Sequence, residues 1–380
     1  MKTVKLGEIA DLTVGFVGSM TEQYTESGVS FLRSLNIKPF EISSEDIRFI
    51  SEEFNTKISK SILHEGDVVI VRTGIPGTCA VVPKEYDGCN CSDIVIVHPN
   101  NELVDSTYLA GFINFWGQKQ VENNKVGAIQ KHFNVHTAEE MLITLPEIDV
   151  QRKIAMLLND INGKIKNNQK INDNLQNQLT LMFDYFFNNS HHSKVFANGV
   201  LADISYITMG QSPSGDTYNE IGAGIPFYQG STDFGEIFPT IRVYTTEPSR
   251  EACLLDTLMS VRAPVGTMNI AYENCCIGRG LAAIRGKNNN NTFVRYLLKR
   301  NKWYFDAINN SGTTFGSITK DYLYGMPIII PDTESVEEFE DIAQSYESKI
   351  FRNETETRAL SKLRDWLLPM LMNGQLVISD

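Results

Sequence analysis

An internal repeat constrains the fold of this chain more than any other feature of its sequence. Four segments of the first half have counterparts in the second half, in the same order and at similar spacing. The matched segments are 6–16 with 201–211, 27–33 with 223–229, 68–78 with 258–267, and 126–146 with 311–331. Identities within each pair are few, but the preserved order predicts two copies of one structural unit.

Each half combines strand patterns with helix patterns. Short β-branched runs such as DVVIVR, DIVIVHP, LAAIRG and MPIIIP lie between turn residues and predict strands. Residues 105–124 and 291–310 each have the apolar spacing of a single helix of three to four turns. The predicted fold class is therefore α+β, with two similar mixed α/β domains at residues 1–146 and 200–331.

A long helical pattern follows each predicted domain, at 147–187 and 332–380. Apolar residues recur with heptad spacing, which is typical of helices that pack on one another. In the first helix these are Ile154, Leu158, Ile161, Ile165, Leu175, Leu179, Met182 and Phe186. The corresponding positions of the second helix are Phe339, Ala343, Tyr346, Ile350, Asn353, Thr357, Leu360, Arg364, Leu367 and Leu371. We expect an antiparallel coiled coil, since the chain leaves one domain and returns after the other.

Several details of these helices follow from the same pattern. Asn168 and Asn353 occupy the same heptad position, where a buried polar residue would fix the register of the helices. Leu363 is expected to turn inward in place of Arg364, and Asp149 is expected to cap the first helix. The polar segment 188–199 predicts a linker, and its histidine pair is better explained by solvent exposure than by metal binding. The alternative is two unrelated amphipathic helices, each docked on its own domain.

Composition sets limits on function. The formal net charge is −12, from 34 Lys and Arg against 46 Asp and Glu, whereas an isolated DNA-binding domain is usually basic. The acidic excess lies in the first domain and the C-terminal helix, while the second domain is neutral, so local DNA contacts with help from partners are compatible with it. No apolar run is long enough for a membrane span, so we expect a cytoplasmic protein. The six cysteines lack zinc-site spacing and fit reduced structural thiols.

Motifs for catalysis are absent from the sequence. GIPGT at 74–78 has the glycines of a phosphate-binding loop but no following Lys-Ser/Thr pair. IGAG at 221–224 is a lone glycine pair, too weak to predict a dinucleotide site. Nothing resembles the Asn/Asp-Pro-Pro-Tyr/Phe signature of amino-methyltransferases, and no nuclease-like group of carboxylates and lysines is visible. A duplicated chain of this kind is expected to position a partner rather than to catalyse a reaction.

The sequence resembles the specificity subunits of type I restriction–modification enzymes. LPEIDVQRKIAMLLNDINGKIKNNQKINDNLQNQLTLMFDYFF is similar to their central conserved region, and SKLRDWLLPMLMNGQL at 361–376 to their distal conserved region. LTVGF…SGVSFLRSLNI, ITMGQSPSGDTYNE…GIPFYQGSTDFG, EGDVVIVRTGIPGT and DTLMSVRAPVGT resemble parts of their target-recognition domains. The likeness covers nearly the whole chain. One departure is that Met1 lies almost at the first recognition domain, so the C-terminal helix is expected to replace a preceding helical segment.

The resemblance implies a division of labour. Each recognition domain reads one half of a bipartite target in double-stranded DNA, and the helices set the distance between the two half-sites. Two methyltransferase subunits that use S-adenosylmethionine dock on the helices, and ATP-driven restriction subunits complete the nuclease. The specificity subunit itself has no catalytic centre, and the S-adenosylmethionine, ATP and Mg²⁺ belong to its partners.

Candidate DNA contacts are polar residues in the paired loops, because base edges require hydrogen-bond donors and acceptors. They are Arg33, Asn36, Arg72, Thr73, Lys131, Gln211, Ser212, Tyr228, Gln229, Arg262 and Arg279. The alignment of the two repeats pairs Arg72 with Arg262, and each arginine precedes a glycine-rich turn. The alternative is that both arginines anchor their own turns through local carbonyl groups.

Apolar positions outside the helix–helix contact are candidates for binding methyltransferase subunits. They are Leu157, Phe183, Phe187, Trp366 and Met370. Two other functions stay open from the sequence. One is the recognition subunit of a related system, of a type II-like kind, in which modification and cleavage share another polypeptide. The other is a scaffold that binds no DNA, in which the coiled coil joins two protein-binding domains.

Overall fold

The computed structural model describes residues 1–117, 133–187, 197–310, 317–376 and 378. The chain forms two compact units, which divide it within the long helices rather than at their ends. The first unit contains residues 1–168 and 356–380, and the second contains residues 169–355. Two similar mixed α/β domains associated with long helices confirm the predicted fold class.

In the first unit, a four-stranded antiparallel sheet contains the buried strands that were predicted at DVVIVR and DIVIVHP. Its strands, in spatial order, are Ala10–Val14, Ile94–Pro99, Val68–Val71 and Cys79–Val81. A second four-stranded sheet contains Asn90–Cys91, Val29–Leu32, Arg48–Ile50 and Tyr24–Thr25. Two-stranded pairs are formed by Lys2–Lys5 with Leu142–Leu145 and by Ile37–Lys38 with Glu41–Ile42.

The second unit repeats this arrangement. Its four-stranded antiparallel sheet contains Ser205–Met209, Leu281–Gly286, Thr257–Ser260 and Met268–Ile270. Its other large sheet contains Tyr218–Asn219, Val243–Thr245, Ile225–Tyr228, Cys275–Ile277 and Glu251–Ala252. Ala197–Val200 pairs with Pro327–Ile330. This pair is equivalent to Lys2–Lys5 with Leu142–Leu145 in the first unit.

Short helices cover the sheets. In the first unit they are Glu52–Lys57, Ser106–Phe112 with a π-helical turn at Ile113–Gly117, and Val135–Glu139. In the second unit they are Leu201–Ile204, Asn291–Arg300, Lys302–Asn310 and Lys320–Tyr324. The single helix predicted at 291–310 is therefore wrong. The chain breaks at Asn301, whose side-chain amide donates to the Leu297 carbonyl and ends the first helix.

The long helices span Ile148–Phe187 (the central helix) and Thr333–Met372 (the C-terminal helix), with 40 residues each. Within the first unit, the central helix contributes Leu158 and the C-terminal helix contributes Leu368 to one apolar core. Within the second unit, Phe183 and Phe339 lie in another core, with ring centroids 5.7 Å apart. In both units the order of contacts makes the two helices antiparallel, as predicted.

Asparagine residues interrupt the apolar packing between the two long helices. In the first unit, Asn168 is 1% exposed and its amide donates to Glu356 Oε2 across 2.9 Å. In the second unit, Asn353 Nδ2 donates to Asn172 Oδ1 across 2.8 Å. The predicted burial of a polar residue at Asn168 is confirmed. Each amide has a hydrogen-bond partner, which limits the cost of removing it from water.

Two details predicted for the helices are wrong. Leu363 is exposed, whereas Arg364 is largely buried and donates to Asn162 Oδ1 across 3.1 Å. The Arg364 guanidinium also lies 4.9 Å from the centre of the Phe40 ring. This cation–π contact stabilises Arg364 at the inward position where Leu363 was expected. Asp149 lies in the first turn of the central helix rather than at its cap, because the backbone carbonyl of Glu147 accepts the first bonds.

Candidate nucleic-acid interface

In the second unit, four loops meet where strands of the two larger sheets end. Backbone hydrogen bonds connect them: Gln211 N donates to Ile277 O across 3.0 Å, and Gly280 N donates to Gln229 O across 3.2 Å. Val261 N donates to the same segment, at Gly280 O, across 2.9 Å. We call this surface the second loop face. It comprises residues 210–214, 229–233, 261–267 and 278–280.

The first unit brings the equivalent four loops together. Phe16 N donates to Cys91 O across 2.8 Å, and Ser92 N donates to Leu32 O across 3.0 Å. The Ser34 hydroxyl donates to the Asp93 carbonyl across 2.8 Å. The surface is the first loop face, comprising residues 15–19, 33–39, 72–78 and 92–93. A duplicated surface of loops on a rigid sheet is the usual location of a binding site.

One loop is the same length in both units. Val71 N donates to Thr78 O, and Ser260 N donates to Thr267 O, each across 2.8 Å, so both loops have six residues between these ends. At the last of the six, Gly77 and Gly266 have φ values of 91° and 86°, which favour glycine. A Cβ atom at Gly266 would also lie 2.6 Å from Phe305.

This hydrogen-bond register corrects the pairing of arginines inferred from the sequence. Counted from the bonded ends, Arg262 takes the position of Thr73, and Arg72 takes the position of Val261. The sequence match aligned the two arginines by placing a gap, but the strands contain no such gap. Arg72 and Arg262 are therefore not structural equivalents.

Arg72 is an anchor of its own loop. Its Nε donates to the Phe133 carbonyl across 3.1 Å, and its Nη1 lies 3.8 Å from Asp93 Oδ1. Its side chain is only 19% exposed. Thr73 is bound to the same carboxylate through its hydroxyl group. The alternative raised for Arg72, a structural role through a local carbonyl, describes its contacts in this structure.

Arg33 is also held within the first unit. Its Nη2 donates to Asp46 Oδ2 across 2.9 Å and to the Asp46 carbonyl, and its side chain is mostly buried. Hydrogen bonding to Arg33 lowers the pKa of Asp46 from its ordinary value. Lys131 lies outside the described residues. The described arginines of the first loop face are thus paired with carboxylates.

The second loop face has a different electrostatic character. Arg262 and Arg279 are exposed, as are Gln211 and Gln229. Within residues 197–310 and 317–376, neither arginine side chain has a hydrogen-bond or ion-pair partner. Arg262 is fixed only through its backbone, which bridges to Ser317. Two guanidinium groups on a loop surface with donor and acceptor amides beside them match the groups that bind guanine edges and phosphates.

The remaining predicted contacts of the second unit are less accessible. Ser212 is half-buried, and its hydroxyl has no hydrogen-bond partner among the residues that the structure describes. Tyr228 is 1% exposed because its ring lies in the core between the sheets. The prediction that Tyr228 contacts DNA is therefore corrected to a core position.

Asn36 is likewise a structural residue and not a surface donor. It is fully buried, its Nδ2 donates to Glu45 O across 2.8 Å, and its Oδ1 accepts from Arg33 N across 3.0 Å. Asp233 has the same role in the second unit, where its carboxylate accepts from Gln229 N across 2.8 Å and from Arg242. Because these side chains already form hydrogen bonds with the backbone of their own loops, they are unavailable to a ligand.

Sequence reasoning missed Asp93, which organises the first loop face. Its backbone is left-handed, with φ of 57°, and its carboxylate binds Thr73 and Arg72. The signal was available in part, because Asp93 separates the strand ending at Cys91 from the buried run IVIV. An aspartate in a short connection between strands favours such a left-handed turn.

The predicted subunit contacts on the helices divide into two groups. Phe183 is 3% exposed and lies in the core of the second unit, so its prediction as a partner contact is wrong. Phe187 packs on Phe293 with ring centroids 5.0 Å apart and is partly buried. Trp366 is 62% exposed, and Leu157 and Met370 are partly buried in the first unit. Phe187 and these three residues keep accessible surface for a partner.

Other chemistry is limited in the described ranges. All six cysteines are free and five are buried, and burial raises the pKa of Cys89 to about 12. No group of His, Cys, Asp and Glu suited to a metal ion occurs among the described residues. In those same ranges, none of the helices combines the length and apolar character of a membrane span.

Comparison with known proteins agrees with this architecture. The family model of the type I restriction modification DNA specificity domain matches the chain twice, at residues 1–177 and 194–360. The chain belongs to this family. It is 28% identical over 303 residues to the type I restriction enzyme MjaX specificity subunit of Methanocaldococcus jannaschii, covering 75% of this chain and 71% of that protein.

A solved structure shares the fold. The type I restriction–modification S subunit from M. genitalium superposes with a TM-score of 0.58 at 15% identity, covering 97% of this chain and 95% of that one. The two family matches coincide with the two repeat halves that carry the loop faces. The protein is a specificity subunit of the type I restriction–modification family, and it recognises DNA as part of such a system.

Proposed function

We propose that the two loop faces each bind one half of a bipartite target in double-stranded DNA. The observation that carries this proposal is the pair of exposed arginines, Arg262 and Arg279, on the second loop face. Arginine forks bind guanine in the major groove and also bind phosphates. The duplicated four-loop surface, in a chain that belongs to a DNA specificity family, supports the same use of the first loop face.

The two faces are expected to contribute differently. In the first unit the arginines are paired with Asp46 and Asp93, whereas Arg262 and Arg279 are not paired within the described ranges. Free cations release counterions from DNA when they bind phosphates, and paired cations release fewer. The second unit therefore supplies the larger part of the salt-dependent affinity, and the first unit acts mainly through shape and base contacts.

The chain is proposed to have no catalytic centre of its own. Its sequence lacks a Walker loop and the amino-methyltransferase signature, and its family is that of a DNA specificity domain. We assign S-adenosylmethionine, ATP and Mg²⁺ to partner subunits. Two methyltransferase subunits and the restriction subunits are the proposed partners, and a cytoplasmic location follows from DNA as the substrate.

Exposed apolar residues of the helices support the docking of methyltransferase subunits. Trp366 is 62% exposed, and Met156 and Leu181 of the central helix are also exposed. Tryptophan is enriched among the residues that contribute most to binding between proteins. We propose that methyltransferase subunits contact Trp366, and that Leu157, Phe187 and Met370, which are partly buried, add to the contact.

The experiment is long-read methylation mapping of a host genome with and without this gene, with the methyltransferase gene present in both strains. The proposal expects one bipartite motif whose methylation depends on the chain. The matched variant is Arg262→Ala, which should alter only one half of that motif. A genome methylated identically without the gene would contradict the proposed DNA specificity. Methyl transfer by the isolated chain would contradict the non-catalytic assignment.

A further inference from the structure

The first loop face contains a groove of about 810 Å³. It lies between loops 33–39 and 72–78 and is bounded by Asp93. Two aliphatic side chains line it and remain open to solvent: Ile75 is 70% exposed and Leu35 is 52% exposed. A single exposed aliphatic residue is ordinary, whereas two in one groove on a binding surface offer an apolar contact to a ligand.

The cations that line the groove are already paired. Arg33 is paired with Asp46, and Lys38 Nζ lies 3.7 Å from Glu45 Oε2. Outside the lining of the groove, Arg72 Nη1 lies 3.8 Å from Asp93 Oδ1. A phosphate-binding groove would leave its cations unpaired. What the groove presents instead is aliphatic surface beside a carboxylate, since the Asp93 side chain is 45% exposed.

The equivalent positions of the second unit lack this combination. In the six-residue loop, Pro264 takes the position of Ile75. Thr232 takes the position of Leu35, because Asn36 and Asp233 are equivalent caps. The segment that contains Asp93 carries Arg279 in the second unit. The groove is thus a property of the first unit, and its occupant should be found in one half-site only.

An A·T base pair matches both features of the groove. In the major groove, thymine presents its 5-methyl group, and the paired adenine presents an N6 amino donor. We propose that Ile75 and Leu35 pack on the methyl group of a thymine in the half-site bound by the first unit, while Asp93 accepts a hydrogen bond from the N6 amino group of the paired adenine. This inference rests on the proposed function of the first loop face. It names the base pair that the face reads.

The test removes the methyl group from the DNA and the side chain from the protein. The full chain, purified with its methyltransferase subunits, is titrated with duplexes of the mapped motif in which each thymine is replaced in turn by deoxyuridine. One replacement in one half-site should weaken binding about fourfold, the value for one buried methyl group. Ile75→Ala should bind the unmodified duplex about fourfold more weakly or worse, and should lose sensitivity to that deoxyuridine.

Two controls keep the test specific. Leu103→Ala removes an exposed aliphatic side chain at the opposite end of strand Ile94–Pro99 and should leave the deoxyuridine effect unchanged. Leu35→Ala provides a second variant in the groove, with the same expected loss of sensitivity. Since both groove residues are exposed, neither change removes core packing.

Three results would overturn the inference. These are no deoxyuridine effect at any thymine, an effect of equal size in Ile75→Ala, or a half-site for the first unit that contains no A·T pair. If Ile75→Ala weakened subunit assembly instead, the groove would bind protein and not DNA. Absence of sequence-specific binding to the unmodified duplex would contradict the proposed function itself, which is a different outcome.

Discussion

His98 Nδ1 lies 2.7 Å from Asp67 Oδ1 at the end of the first-unit sheet opposite its loop face. Asp67 is buried and also accepts from His64 N across 2.7 Å. In the second unit the strand register places Arg285 at the position of His98, and Arg285 Nε donates to Asp256 Oδ1 across 2.7 Å. The same structural pair thus contains a titratable cation in one unit and a permanent cation in the other.

The first prediction is that only the first unit loses stability through this pair as the pH rises. The hydrogen bond to Asp67, with smaller contributions from the charges of Asp67 and Asp11, raises the pKa of His98 above its ordinary value of 6.5. A cation with a raised pKa stabilises the folded state fully below about pH 6.5, and this contribution is lost as the pH rises through the folded pKa. Arg285 stays charged throughout.

Hydrogen exchange measured by mass spectrometry on the full chain separates the two units. Between pH 6 and 8.5, corrected for intrinsic exchange rates, the protection of Val68–Val71 and Ile94–Pro99 should fall relative to Thr257–Ser260 and Leu281–Gly286. His98→Arg, which reproduces the second unit, should remove the difference in pH dependence. If wild type and His98→Arg gave the same profile, the His98–Asp67 pair would not be its cause.

The second prediction separates the two arginines that the sequence pairs. Arg262→Ala removes an exposed guanidinium and should relax one base position of one half-site, at a cost of about 1–3 kcal/mol if the contact is bidentate. Arg72→Ala removes contacts with Phe133 and Asp93, so it should lower the stability of the first unit. Methylation mapping and urea unfolding of both variants check this. An Arg262→Ala variant with unchanged specificity and unchanged salt dependence would remove that residue from the interface.

The third prediction concerns the asparagines between the helices. Asn172→Ala removes the acceptor of the Asn353 amide in the second unit and should lower the free energy of unfolding by about 1–3 kcal/mol. Asn167→Ala, on the exposed side of the central helix, is the matched control and should be neutral or slightly stabilising. Urea unfolding of the full chain measures both. Equal stability of the two variants would show that the buried amide contributes nothing.

The fourth prediction distinguishes core from docking residues on the helices. Phe183→Ala should destabilise the second unit by about 3–5 kcal/mol, because its ring is buried against Tyr296 and Phe339. Trp366→Ala should leave the unfolding midpoint nearly unchanged and weaken methyltransferase binding by about 2 kcal/mol or more, as a hot spot does. Calorimetric titration with the methyltransferase tests the second effect. Unimpaired binding by Trp366→Ala would move the docking surface elsewhere.

The fifth prediction uses the two long helices, each of which contributes residues to both units. One heptad inserted after Asn168 and another after Thr355 lengthens both helices by about 10 Å. At a duplex rise of 3.4 Å this equals about three base pairs, so the unspecified spacer of the methylated motif should lengthen while both half-sites persist. Methylome sequencing of the variant reveals the spacer. An unchanged spacer with altered half-sites would mean that the helices do not set the distance.

The long helices and the repeated domains could be predicted from the sequence because both depend on regular spacing. Periodicity also indicated the buried Asn168. It could not show that Arg364 would lie inside and Leu363 outside, since that depends on the Phe40 ring and the Asn162 amide, which are distant in sequence. Buried polar positions are decided by partners that a pattern does not contain.

The candidate site was harder to predict for a related reason. The sequence predicted polar loop residues as DNA contacts, but the Asn36 side chain binds the backbone of its own loop and Arg72 binds a carbonyl group. Alignment of identical letters also paired Arg72 with Arg262, whereas hydrogen bonds between neighbouring strands set the true register. Which loop side chains remain accessible is a tertiary property, and Ile75 could not be predicted as a contact because an isolated aliphatic residue belongs to no chemical motif.

The six-residue loop that ends at Gly77 in one unit and at Gly266 in the other has the same hydrogen-bonded ends and different contents. Its folding information lies in the ends, the glycine and the first position, where Arg72 binds the Phe133 carbonyl in one unit and Val261 is buried in the other. The position of Ile75 and Pro264 is exposed in both units, so it is open to substitution at a lower structural cost. New target preferences would arise by exchanging the exposed residues of the loop, within this chain or between relatives, while the strands on either side stay as they are.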